Sequence, residues 1–170
     1  MNSKNGFQTK VWGPAAWLFL HCITLNYDPQ RNRKETQMFF KLLAYVLPCG
    51  ACRENYKNTI QSNDLKLDDA VFESRESLAF WLFKLHNFVT CCNSKSIPFY
   101  KDTKTDFYKM VTFYENLRAK CSVKGSTKHH KVGCIHPLKK GGVRLRSVIR
   151  IKPWSEQNTK VHSITMCSNM

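Results

Sequence analysis

The sequence predicts an all-α protein, a four-helix bundle with a short fifth helix, followed by a basic C-terminal extension with weak order signals. Three observations carry this. Apolar residues recur at helical spacing in five segments, no alternating strand pattern appears before residue 120, and charge splits the 170-residue chain into two unlike parts.

Trp12-Gly13-Pro14 reads as the entrance of the first helix, since proline is tolerated in a first turn. Trp17, Leu20, His21 and Thr24 then share one face until Tyr27-Asp28-Pro29 ends the run. Phe39, Leu42 or Leu43, and Val46 place a second helix at about 33–46, stopping before Pro48. A third runs from Cys49 to Ile60, with Pro48 as its natural first residue. Leu78, Trp81 or Leu82, Leu85, and Phe88 or Val89 form the strongest apolar stripe and predict a fourth helix from about Ser77 to Cys91. Phe107, Met110 or Val111, Tyr114 and Leu117 form the fifth. Residues 141–151 alternate Val, Leu, Val and Ile with Arg and Lys, which suits either a strand or an exposed basic arm. The expected organisation is a helical domain at 8–118 and a basic, Cys- and His-containing extension at 119–170.

A chain of this length buries enough apolar surface to fold as one domain plus an extension. Of eleven Phe, six Tyr and four Trp, all but Trp154 fall within residues 1–114, as core or as walls for a flat ligand. No apolar run is long enough for a signal peptide or a membrane span, so the expectation is a soluble, non-exported protein. Residues 1–117 hold 15 Lys plus Arg against 11 acids, a net of +4, whereas residues 118–170 hold 12 against the single Glu156, a net of +11. Such a one-signed block attracts anionic partners, nucleic acid among them, through charge alone.

Cys49-Gly-Ala-Cys52 follows Pro48 at the start of the third helix, where unpaired backbone N–H groups and the helix dipole stabilise a thiolate. The spacing also permits a small, readily reduced disulfide. Taken alone, the motif is either a redox pair or half a zinc site. A zinc site wants a second pair of ligands at similar spacing, and the chain has no second Cys-x-x-Cys. Trp17 and His21, four residues apart, put an indole and an imidazole on one helical face. His86 and Val89 or Thr90 do the same for an imidazole beside a β-branched surface, with Asn87 adjacent and Lys95 nine residues on. Each pair is also an ordinary way to fill a core or end a helix.

Together, Trp12-Gly-Pro-Ala-Ala-Trp17-x-x-x-His21, then Leu-Pro-Cys49-Gly-Ala-Cys52-Arg, then Trp81-x-x-x-x-His86-Asn87-x-Val89 resemble the Erv/ALR sulfhydryl oxidases, most of all the short forms of large DNA viruses. The resemblance runs from about residue 10 to 118. It implies a helical bundle that holds FAD without a glycine-rich phosphate loop, a thiol oxidase that makes protein disulfides and reduces oxygen to hydrogen peroxide, and a homodimer. It implies Cys49 and Cys52 as catalytic residues and no catalytic metal. Gly13, Trp17, His21, His86, Asn87, Val89 and Lys95 become the FAD-binding positions, and protein dithiols and oxygen the substrates. The viral likeness places the protein in the host cytoplasm or virion. The chain departs from the family pattern at Leu47, where an aromatic is common, at Thr90, commonly Asn, and at Lys95-Ser96 in place of Lys-Pro. It also lacks the family's extra cysteine pair of sixteen-residue spacing, and its adjacent Cys91 and Cys92 read as core or peripheral thiols.

In the extension, Cys121 and Cys134 suggest a disulfide or an electron-shuttling pair. Cys121, His129, His130, Cys134 and His136 also contain the ligand types of a zinc site. The competing identity is therefore a zinc-stabilised basic protein that binds nucleic acid.

Overall fold

The computed structural model describes residues 6–93, 103–120, 134 and 136–138. Among them are five α-helices: α1 (Thr9–Leu25), α2 (Pro29–Val46), α3 (Gly50–Thr59), α4 (Arg75–Asn93) and α5 (Lys104–Asn116), with a 3-10 turn at Asp69–Phe72. The chain divides into two compact units, residues 1–111 and 112–170. The predicted all-α class is borne out.

Four of the five described helices start where a side chain satisfies free amides, whereas Gln8 before α1 makes no such cap. Asp28 caps α2 by accepting from Gln30 N at 3.1 Å, and Pro29, which has no amide to satisfy, takes the first position. The helix kinks at Asn32 (φ −140°, ψ 30°), whose side-chain oxygen accepts from Asp28 N at 3.1 Å. That kink explains why helical periodicity became legible only at 33. Ser74 and Ser77 cap α4 reciprocally, each amide donating to the other hydroxyl at 3.0 Å. Thr103 caps α5 by accepting from Asp106 N at 3.1 Å.

Two helix starts differ from expectation. α1 begins at Thr9, so Pro14 stands inside the helix and not in its first turn. Gly50 opens α3 and Cys49 is its cap, so Pro48 precedes the cap. The sulfur accepts from Cys52 N at 3.2 Å, which is the role a cap side chain normally plays with oxygen.

In the first unit α1 packs on α4 and α2 on α3, and the 3-10 turn closes against α4 and α2. Phe40, Phe72, Leu78, Leu82 and Leu85 fill the centre with Tyr27 and Trp81. Phe40 meets Trp81 edge-on at 5.6 Å between ring centres. The polar ends of the aromatics are satisfied: Tyr27 OH donates to Phe72 O at 2.6 Å, Trp81 Nε1 to Leu65 O at 3.0 Å, and Tyr56 OH to Phe40 O at 2.8 Å. Phe107 of α5 packs edge-on against Phe80 at 5.2 Å.

In the second unit, Ala119–Lys120 (β1) pairs antiparallel with His136–Pro137 (β2), Lys120 opposite His136. Residues 141–151, read as a strand or arm, lie outside the described residues.

Candidate functional site

Two groups of chemically capable side chains are assembled, one at the junction of α2 and α3 and one between α1 and α4. At the first, Cys49 and Cys52 form a disulfide with Cα atoms 5.1 Å apart. Both residues are half-buried. The junction is held by Leu47 O, which accepts from Cys49 N at 2.8 Å and from Arg53 Nη1 at 2.6 Å. Sequence reasoning missed the role of Arg53. Its signal was its position one residue past the motif, where a long side chain turns back over the helix start. In the disulfide state these sulfurs hold no zinc, because metal ligation requires thiolates.

At the second group, Trp17 from α1 lies parallel to His86 from α4, with ring centres 4.1 Å apart and planes 10° apart. His21 Nε2 and His86 Nδ1 share a hydrogen bond of 3.1 Å. Burial drives the His21 pKa down to about 3, with the His86 charge adding to the effect, and burial drives His86 down to about 4. Both imidazoles are therefore neutral at physiological pH, each able to donate from one ring nitrogen and accept at the other. The helix spacing put Trp17 beside His21, but the structure stacks Trp17 on His86 and leaves Trp17 and His21 tilted at 6.5 Å. The cross-helix pairing needed tertiary contact to be seen.

Asn87 is buried on α4, and Val89 is half-buried against the core. Thr90 donates its hydroxyl to His86 O at 2.9 Å, so part of its hydrogen-bonding capacity is spent on its own helix. Gly13 lies within α1, with open space where a side chain would begin. Lys95 lies outside the described residues. Cys22, Cys91 and Cys92 are exposed and outside any disulfide. Cys134 is exposed and disulfide-bonded. Cys121, Cys167, His129 and His130 lie outside the described residues.

A helical bundle with a Cys-x-x-Cys disulfide at one helix start and a neutral indole–imidazole cluster is the class that this fold and site define. The profile of the Erv1/Alr family matches residues 14–117, and the chain belongs to that family. The probable FAD-linked sulfhydryl oxidase R368 of Acanthamoeba polyphaga mimivirus is 34% identical over 104 residues, 59% of this chain and 71% of that protein. The mitochondrial FAD-linked sulfhydryl oxidase ERV1 of Saccharomyces cerevisiae is 28% identical over 78 residues, 44% of this chain and 39% of that one. Protein 096R of Invertebrate iridescent virus 3, also named a FAD-linked sulfhydryl oxidase, is 31% identical over 83 residues, 47% and 54% of the two chains. The chain thus spans about half or less of the last two relatives. Among the described residues, no helix is long and apolar enough to cross a membrane.

Proposed function

We propose that this chain is a FAD-linked sulfhydryl oxidase that oxidises protein dithiols through Cys49 and Cys52 and reduces oxygen to hydrogen peroxide. The observation that carries the reading is the Cys49–Cys52 disulfide at the start of α3, with Cys52 N–H donating to Cys49 Sγ. A substrate thiolate attacks Cys49 Sγ, a substrate–Cys49 bond forms, the Cys49–Cys52 bond breaks, and its electron pair stays on Cys52 as thiolate. A second substrate thiolate then attacks the substrate's own sulfur, closing the product disulfide and releasing Cys49 as thiolate. The amide of Cys52 and the positive end of α3 stabilise that anion. FAD, held by the residues named below, would supply the two-electron acceptor that links the reduced Cys49–Cys52 pair to oxygen.

The residues present fit such a cofactor. Trp17 and His86 offer flat faces, the neutral His21–His86 pair offers hydrogen bonds without a charge to neutralise, and Val89 offers an apolar wall. Asn87, Gly13 and Lys95 complete the assigned set. The chain works as a homodimer through the outer faces of α1 and α2, where Phe19, Met38, Leu42, Tyr45 and Val46 are exposed. Its setting is the infected-host cytoplasm or virion, and the basic extension holds an anionic partner by charge.

Oxygen uptake by the purified full chain with dithiothreitol tests the reading. Uptake with one hydrogen peroxide formed per oxygen, by a protein carrying FAD, is expected. A colourless, zinc-containing preparation that consumes no oxygen would overturn it in favour of a zinc-stabilised nucleic-acid-binding protein.

A further inference from the structure

The segment before α1 runs across the redox motif. Phe7 N donates to Pro48 O at 2.7 Å, and Trp12 Nε1 donates to Phe7 O at 3.2 Å from the other side. Gly6 passes so close that a Cβ there would meet Pro48 O and lie 2.6 Å from Cys49 Cα. Only glycine fits that path without displacement. Phe7, however, is 77% exposed. Two hydrogen bonds therefore hold Gly6–Phe7 without a buried side chain to anchor it. Such a contact opens readily.

A polypeptide whose cysteine forms a mixed disulfide with Cys49 must bring its backbone to within several ångströms of the Cys49 backbone, because disulfide geometry fixes that separation. The backbone acceptor next to Cys49 in sequence is Pro48 O, and Phe7 N already engages it as an extended chain would. We propose that Pro48 O is a docking point for the extended backbone of a polypeptide dithiol substrate, and that Gly6–Phe7 occupies it until substrate displaces it. The proposal rests on Cys49–Cys52 being the redox pair. It adds that polypeptide substrates compete with this segment, whereas a small dithiol needs no backbone acceptor. The chemistry is the exchange described above, with no further electron carrier.

The test compares the wild-type chain with Phe7→Pro, which removes the donor amide, and Gly6→Val, which the approach to Cys49 excludes. Steady-state oxidation is measured with dithiothreitol and with reduced, unfolded ribonuclease. Both variants should lower KM for the polypeptide about threefold to tenfold, with kcat/KM for dithiothreitol within twofold of wild type. An unchanged or raised polypeptide KM would overturn the proposal. If wild type fails to oxidise dithiothreitol, the redox assignment itself is what fails. A second measurement is independent of these variants' folding. In Cys52→Ser, hydrogen exchange at the Phe7 amide should be protected in the free protein and become at least tenfold faster once a peptide whose cysteine is activated as a 2-pyridyl disulfide has exchanged onto Cys49 with release of 2-thiopyridone. Equal protection in both states contradicts displacement.

Discussion

His21 on α1 and His86 on α4 are tied through their ring nitrogens at 3.1 Å, and the Trp17 indole lies flat on the second ring. This contact joins residues 65 positions apart in the sequence through neutral imidazoles. Its maintenance depends on pH. In the folded chain both pKa values are depressed, to about 3 and about 4, while the unfolded chain takes up protons near the ordinary value of 6.5. Protons therefore favour the unfolded state below that pH. Stability against urea should fall as pH drops from about 6.5 towards 4, and the pair should contribute no slope above pH 7. Denaturation curves of wild type and of His21→Asn, His86→Asn check this. An equally steep acid limb in the double variant would contradict the assignment.

Trp17→Ala removes a flat face from the proposed cofactor site. Aromatic stacking on a base is worth about 1–3 kcal/mol, so FAD should bind roughly tenfold to a hundredfold more weakly. Titration of flavin into the apoprotein, followed by fluorescence, measures the loss. Wild-type affinity in the variant would remove Trp17 from the site.

Phe40 is fully buried and meets the rings of Phe39, Phe72 and Trp81. Phe40→Ala should cost about 3–5 kcal/mol, read as a lowered Tm, because the cavity cannot collapse among such rigid neighbours. A loss below about 1 kcal/mol would mean the core is less tightly packed than these contacts imply.

Leu42 and Tyr45 lie on the exposed side of α2, with Tyr45 70% exposed. If the proposed dimer forms through this face, Leu42→Glu, Tyr45→Glu should leave the fold intact and give a monomer in sedimentation velocity where wild type is a dimer, since charges resist burial at an apolar interface. A dimer that persists in the variant would move the interface elsewhere.

Helix existence was legible in the sequence because the buried stripe of α4, from Leu78 through Leu85, repeats at the period of a helix. Helix starts were less so. Pro14 resembled a first-turn proline but lies inside α1, and the Asn32 kink hid the first turn of α2. The site divided the same way. Cys49 and Cys52 are close in sequence and their pairing could be read from spacing. The His21–His86 bond and the approach of Gly6 to Cys49 join residues far apart in the chain, and no local pattern encodes them.

In the proposed reading Cys52 is the sulfur that would reduce a flavin held by this chain, and anaerobic visible spectroscopy with dithiothreitol tests it most directly. Wild type should carry a flavin band that bleaches within seconds to minutes of dithiol addition. Cys52→Ala should carry the same band and keep it, because the aromatic and imidazole cluster remains while the donating sulfur is gone. Bleaching of Cys52→Ala at the wild-type rate, or a wild-type protein without a flavin band, would contradict the account.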